Sequence, residues 1–109
     1  MPAAPALAED ALEALGNPIR RQILTILAPG PCPVGEIAAQ LPVSRPAVSK
    51  HLRLLQNAEL VAFERSGNRN LFRLEAAGFD AAKVWLEAFW DEALARFALV
   101  AENTWTPKP

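Results

Sequence analysis

Two short helical patterns separated by a proline and a valine restrict the fold of this chain more than any other feature. The first covers residues 34–41, and Pro42 cannot continue it because proline lacks the amide hydrogen that a helix needs. The second begins at Ser44, whose hydroxyl oxygen can cap a helix, and Pro46 falls in its first turn, where proline is tolerated. Two short helices joined by so brief a turn have the spacing of a helix-turn-helix.

The second of these helices has one apolar face and one basic face. Val48, Leu52 and Leu55 recur at helical spacing and predict its buried side. From Ser44 to Gln56 there is no acidic residue, although a solvated helix usually mixes both charge signs. The opposite face therefore favours a polyanionic partner, with an ordinary basic surface helix as the alternative. That face carries Pro46, Ser49, Lys50, Arg53 and Asn57, with Arg45 and Gln56 at its edge.

The residues that follow change from helical spacing to alternation. Residues 60–65 and 70–74 each alternate apolar and polar side chains, and a turn-forming sequence lies between them. We therefore predict a two-stranded β-hairpin with Arg65, Arg69 and Arg73 on its tip and edges. A charged hairpin directly after a helix-turn-helix is typical of the wing of a winged helix.

Further helices are predicted on both sides of this central unit. One covers 7–15, a second begins at Pro18 after the capping residue Asn17, and a long one covers 79–103. The proline-rich residues 28–33 are predicted as a loop. We expect one mainly helical domain over residues 1–109, in the order α-α-α-α-β-β-α. Its parts are loose tails at 1–6 and 104–109, the helix-turn-helix at 34–58 and the wing at 60–74.

The distribution of charge is more informative than its sum, which is −1 over 109 residues. Between Ser44 and Arg73 there are six basic and two acidic side chains, whereas the remainder carries five basic and ten acidic ones. One positive surface on an otherwise acidic molecule is therefore expected. A single cysteine allows no internal disulfide, and no signal-peptide or membrane-length apolar pattern is present, so we expect a cytoplasmic protein.

Four segments carry motifs that occur together in one protein family. They are ALGNPIRRQIL at 14–24, EIA at 36–38, SRPAVSKHLRLL at 44–55, and GNR followed by LFRL within 67–74. In this order and spacing they resemble the ArsR (also called SmtB) family of prokaryotic transcriptional repressors. The resemblance extends from about Leu12 to Leu74.

This resemblance implies a homodimeric winged helix-turn-helix repressor that inserts its recognition helices into successive major grooves of a palindromic operator in double-stranded DNA. Its first and last helices would form the dimer interface, and its own operon is a possible target. The corresponding interface residues are Leu7, Leu12, Trp85, Phe89, Trp90 and Phe97. The corresponding DNA-binding residues are Ser44, Arg45, Pro46, Ser49, Lys50 and Arg53 in the recognition helix and Arg65, Asn68, Arg69 and Asn70 in the wing.

Position along the recognition helix suggests that these residues contact different parts of the DNA. Arg45 and Ser49, near its start, are best placed for base edges. Lys50, Arg53 and the wing arginines are better placed for phosphates, whose contribution to affinity falls steeply with salt. His51 lies beside the apolar face, which favours a packed, hydrogen-bonded histidine over a DNA contact or a titrating switch.

The chain departs from the metal-sensing members of this family. Those members use cysteines in the helix before the recognition helix, or Asp and His pairs in the last helix, and neither pattern occurs here. One cysteine and one histidine cannot assemble a thiolate or imidazole site within a subunit, so we expect no transition metal and no other cofactor. Cys32 is interpreted as an incidental loop cysteine, with a thiol switch as the alternative. The aromatic cluster of the last helix is interpreted as interface packing, with a small-molecule pocket as the alternative.

Two other functional classes remain to be compared with a repressor. An enzyme is disfavoured, because the chain has no Ser/His/Asp or Cys/His constellation with a spare histidine and no phosphate-binding glycine loop. A winged helix that binds a protein would be expected to lose the basic face and the wing arginines, which this chain retains. The operator sequence, the regulated genes and the inducing signal do not follow from the sequence.

Overall fold

The structure is a computed structural model that describes residues 3–104, with side chains described for 6–102. Within that range five helices and three strands follow one another, and they form the predicted winged helix-turn-helix. The elements are α1 (Ala3–Leu15), α2 (Pro18–Leu27), β1 (Cys32–Pro33), α3 (Val34–Ala39), α4 (Arg45–Asn57), β2 (Val61–Ser66), β3 (Arg69–Leu74) and α5 (Ala76–Thr104).

The ends of three helices differ from the prediction. Helix α1 begins at Ala3, inside the predicted tail, because alanines favour the helix and Pro5 lies in the first turn, where its missing amide hydrogen costs little. Helix α5 begins at Ala76, three residues before the predicted start at 79. Helix α3 ends at Ala39, two residues early. Residues 1–2 and 105–109, predicted as parts of the tails, lie outside the described range.

A third strand corrects the prediction of a two-stranded wing and of a loop at 28–33. Cys32 and Pro33 form β1, which pairs antiparallel with Phe72 and Leu71 of β3, and the strand order is β1-β3-β2. Proline is acceptable there because β1 is an edge strand, where a missing amide donor breaks no ladder. Since α3 follows β1 directly, this pairing ties the inner end of the wing to the start of the helix-turn-helix.

The hydrophobic core lies beneath the inner face of α4. It combines side chains from α2, α3, α4 and the start of β2, and burial of each large apolar side chain stabilises the fold by about 1.5–3 kcal/mol. The largest fully buried side chains are Ile23, Leu27, Ile37, Val48, Leu52, Leu55 and Leu60.

Two arginines of α2 bind the free carbonyl groups at the end of α1. Arg20 Nε donates to the carbonyl of Ala14 at 2.7 Å, and Arg21 Nη1 donates to that of Leu15 at 2.8 Å. The last carbonyls of a helix have no partner within it and carry partial negative charge, so cationic donors are favoured there. These two hydrogen bonds give both arginines a role in joining α1 to α2.

The N-terminal turn of α5 packs directly on the backbone that follows α4. Gly78 N–H donates to the carbonyl oxygen of Glu59 at 2.8 Å. A Cβ atom at position 78 would meet the carbonyl oxygen of Ala58 and would lie 2.7 Å from that of Glu59. These are backbone atoms, which cannot rotate away as a side chain could. Only glycine therefore allows this close approach of the two elements.

The last helix also exposes much of its apolar surface. The rings of Trp85 and Phe89 stack with centroids 5.3 Å apart, yet 44% and 53% of these residues are exposed, as are 59% of Trp90 and 71% of Phe97. Leu7 is half-buried, and Leu12 is half-buried and packs against the core. Although α5 has 29 residues, no helix in the described range is apolar enough over sufficient length to span a membrane.

We predict that Gly78→Ala destabilises the domain by about 1–3 kcal/mol, because the added methyl group must push α5 away from the end of α4. Urea unfolding measures the change. Gly35→Ala is the matched control, since a Cβ atom at position 35 meets its nearest neighbour, Arg45 Nη1, at an ordinary 3.9 Å. Equal stabilities of the two variants would contradict this account of the α4–α5 junction.

Candidate nucleic-acid interface

The recognition helix α4 is fixed in rotation by the burial of one face. Its start is capped as predicted, with Ser44 Oγ accepting a hydrogen bond from the Ala47 amide at 3.3 Å. Val48, Leu52 and Leu55 are buried, so the opposite side must face solvent. All the recognition-helix residues predicted to bind DNA are exposed, namely Ser44, Arg45, Pro46, Ser49, Lys50 and Arg53.

The wing is a tight hairpin whose polar tip projects from a partly apolar base. Ser66 pairs with Arg69 across a two-residue turn, in which Gly67 adopts a φ of +61° that favours glycine. At the base Phe63 and Phe72 are paired, with their rings in an edge-to-face contact at 5.4 Å. The wing residues predicted to bind DNA are likewise all exposed, namely Arg65, Asn68, Arg69 and Asn70.

The fold brings the recognition helix and the wing together at one groove. This wing groove has a volume of about 390 Å³ and lies between the start of α3, the start of α4 and β3. Arg45 of the recognition helix and Arg69 and Asn70 of the wing line it. Residues 24 or more positions apart in the sequence therefore contribute to one surface, which the sequence motifs alone do not show.

An acidic side chain, Glu36 of α3, also lines the wing groove. Its Oε1 atom lies 3.2 Å from Arg69 Nη2. Its Oε2 atom accepts a hydrogen bond from Cys32 Sγ at 3.7 Å. Burial first, and then the charge of Glu36 and this hydrogen bond, raise the pKa of the Cys32 thiol, so the sulfur remains a protonated donor. Glu36 was not among the predicted site residues, because nothing in the sequence pattern links it to a wing residue 33 positions away.

Arg73 contributes less to the basic surface than the sequence suggested. Its Nε atom lies 3.7 Å from a carboxylate oxygen of Glu64, and its Nη1 atom lies 3.7 Å from one of Glu75. Nη1 also donates to the carbonyl of Leu74 at 3.2 Å. Because two carboxylates offset this guanidinium, Arg73 adds little to the positive surface of the wing.

His51 is packed and hydrogen-bonded, which confirms the sequence interpretation. It is half-buried on α4, and its Nδ1 atom lies 3.4 Å from Arg20 Nη1. Burial first, and then the positive charges of Arg20 and Lys50, lower the pKa of this imidazole. A neutral ring can accept the arginine N–H, whereas a protonated ring would repel it. Arg20 thus joins the end of α1 to the recognition helix.

We predict that this contact makes stability fall as the solution is acidified. The unfolded chain binds a proton near the ordinary histidine pKa of about 6.5, whereas the folded chain binds it only at lower pH. The contribution of neutral His51 to the free energy of unfolding is therefore fully present above about pH 6.5. It decreases as the pH falls from there towards the lower pKa of the folded state. His51→Gln, which removes the titration, should flatten the decrease between about pH 7 and pH 5. Urea unfolding at several pH values in this range measures the free energy of unfolding. An equal decrease with falling pH in the wild type and in His51→Gln would contradict the prediction.

The chemistry of the described residues does not fit a transition-metal site. Between residues 3 and 104 no group of three or more His, Cys, Asp or Glu side chains is close enough to hold a metal ion. Cys32 lies in β1 and His51 in α4, where each has a different protein partner. Thiolate and imidazole ligands would have to converge to bind zinc or a similar ion.

The helix-turn-helix, its exposed basic face and the adjoining wing define a winged-helix regulator. A family model described as "Bacterial regulatory protein, arsR family" matches residues 17–62. The HTH-type transcriptional regulator Rv2034 of Mycobacterium tuberculosis is 43% identical over 95 residues, which cover 87% of this chain and 89% of that protein. The chain belongs to the ArsR family of bacterial transcriptional regulators, as the sequence motifs implied.

Other relatives and solved structures agree with this assignment. The transcriptional repressor SdpR of Bacillus subtilis is 30% identical over 80 residues, which cover 73% of this chain and 89% of that one. An ArsR-like transcriptional regulator from Rhodococcus sp. RHA1 superposes with a TM-score of 0.83 at 28% identity, covering 96% of this chain and 99% of that one. A domain from Mycobacterium bovis, described as a homodimeric winged helix-turn-helix DNA-binding domain, gives a TM-score of 0.64 at 31% identity, covering 86% and 87% of the two chains.

Proposed function

We propose that this protein is a cytoplasmic, non-enzymatic repressor that binds a palindromic operator as a homodimer, and that one such operator lies in its own promoter region. The observation that carries the proposal is the wing groove, where a cation of the recognition helix and a cation of the wing line one surface. When a recognition helix lies in the major groove and the wing lies beside it, the DNA backbone runs between them and would contact such a surface. The relative SdpR is named a transcriptional repressor, which supports the direction of control.

A mobility-shift assay on the protein's own promoter region tests this proposal. Specific binding should weaken steeply as salt increases, because each phosphate contact releases counterions from the DNA. A duplex of equal length and composition with a scrambled sequence is the control. The absence of a specific, salt-sensitive shift would contradict the proposal, whatever the behaviour of the variants below.

The recognition helix and the wing should contribute to affinity in different ways. Arg45 is exposed in the first turn of α4, from which side chains of recognition helices reach base edges. Lys50 and Arg53 are exposed further along the helix, and Arg65 and Arg69 are exposed on the wing, where phosphates are the nearer partners. Specificity would then depend on the start of α4, and much of the affinity on the surrounding cations.

We predict that Arg45→Ala weakens binding to the operator by about 1–3 kcal/mol and binding to scrambled DNA much less. Arg69→Ala should weaken binding to both duplexes and reduce the slope of log affinity against log salt by about one. Fluorescence anisotropy across a salt series measures both. Arg96→Ala removes an arginine that pairs with Glu92 on α5 and serves as the control. Equal effects of Arg45→Ala and Arg69→Ala on the two duplexes would contradict the assigned roles.

A homodimer is supported by the exposed apolar surface of α5. Trp85, Phe89, Trp90 and Phe97 are each between 44% and 71% exposed, and so many exposed aromatic rings on one helix are unusual in a monomer. Packing against a second copy would remove these rings from water and place two recognition helices on one operator. The homodimeric Mycobacterium bovis neighbour has the same fold.

We predict that the wild-type protein sediments as a dimer at micromolar concentration and that Phe97→Glu shifts it to a monomer. Phe97 is the most exposed of the four rings, so a charge at this position should break the interface without disturbing the core. Operator affinity should fall with it, because two linked half-site contacts become independent. Lys83→Glu, a charge reversal at a side chain that is 72% exposed on the same helix, is the control. A stable wild-type monomer would contradict the proposed interface.

We propose that the repressor acts without a transition metal. The support is the ligand chemistry, because the chain contains one cysteine and one histidine and both have other partners in the fold.

A further inference from the structure

Glu36 is the acidic residue among the side chains that line the wing groove, a surface otherwise suited to a polyanion. A carboxylate there repels the phosphates that the neighbouring arginines would attract. Its presence is not required by the core, since 64% of its side chain is exposed. We therefore expect this contact between α3 and the wing to affect DNA binding rather than folding.

The cation paired with Glu36 is a predicted DNA contact. Among the basic side chains predicted to bind DNA, Arg69 is the one that forms an ion pair within the described range. Arg45, Lys50, Arg53 and Arg65 are exposed without such a partner there. The pair therefore removes one cation from the DNA-facing surface and leaves the others available.

The pair can be broken at little cost. The N–O distance is 3.2 Å, but 62% of the Arg69 side chain and 64% of the Glu36 side chain are exposed. Ion pairs between exposed side chains are worth about 0–1 kcal/mol, because water solvates both charges well. A DNA phosphate, which presents a full negative charge within a dense array of charges, competes readily with such a partner.

Glu36 has a contact besides the one with Arg69. It belongs to α3, and its second carboxylate oxygen accepts a hydrogen bond from the Cys32 thiol at 3.7 Å. Cys32 is itself held in β1 by pairing with Phe72. Arg69 lies at the tip of the wing, on a long flexible side chain that can turn toward DNA.

We infer that Glu36 is an intramolecular competitor of DNA phosphate for Arg69, and that it lowers the affinity of the protein for DNA of any sequence. In the free protein the carboxylate holds the guanidinium over the wing groove. On binding, a phosphate oxygen replaces it, and the carboxylate then lies near the phosphate and repels it. Such a contact limits retention on non-operator DNA, which is held by phosphate contacts alone. This inference rests on the proposed DNA-binding function.

Glu36→Gln tests the inference, because it removes the charge and keeps the size of the side chain. Binding is measured by fluorescence anisotropy on the operator duplex and on its scrambled counterpart at a fixed, moderate salt concentration. We expect Glu36→Gln to bind both duplexes about two- to tenfold more tightly than the wild type. Unchanged or weaker binding would overturn the inference and would mean that the ion pair only positions the wing.

Two further variants show whether the gain depends on the pair. In an Arg69→Gln background Glu36→Gln should give a smaller gain, because the competed cation is gone and only the repulsion between the carboxylate and the phosphate is removed. Glu87→Gln removes the same charge from an exposed ion pair with Lys83 on α5 and should leave affinity unchanged. An undiminished gain without Arg69, or an equal gain from Glu87→Gln, would overturn the inference in favour of a general charge effect. A wild type that binds neither duplex would instead refute the proposed function.

Discussion

The burial of one face of α4 is the constraint on which the rest of the molecule depends. Val48, Leu52 and Leu55 fill the centre of the core, and at about 100° per residue they fix the rotation of the helix. The basic residues between them must then face solvent. One apolar stripe therefore stabilises the domain and exposes the basic face that is predicted to bind DNA, so core packing and the proposed function are linked through the same helix.

The surrounding elements hold this helix in place from three directions. Arg20 joins the end of α1 to His51 of α4, and Gly78 lets α5 pack on the backbone just beyond it. On the third side β1 pairs with β3, which sets the wing beside the start of α4. Short, direct contacts therefore connect the recognition helix to α1, α5 and the wing.

Carboxylates offset more of the positive charge on the wing than the count of basic and acidic residues suggests. Glu64 and Glu75 offset Arg73, and Glu36 pairs with Arg69. A repressor must leave non-specific sites as well as bind its operator, and excess positive charge would slow that release. Acidic partners of the wing arginines are consistent with this requirement, since they moderate attraction that does not depend on sequence.

The helix-turn-helix, the hairpin and the basic face could be predicted from local signals, namely helical spacing, the cap at Ser44 and the proline positions. Features that join residues far apart in the chain became visible in the folded domain alone. The strand at Cys32 has too few residues to show a pattern and forms because β3 offers it a partner. The Glu36 to Arg69 pair and the close approach at Gly78 likewise depend on how elements pack, which no local spacing encodes.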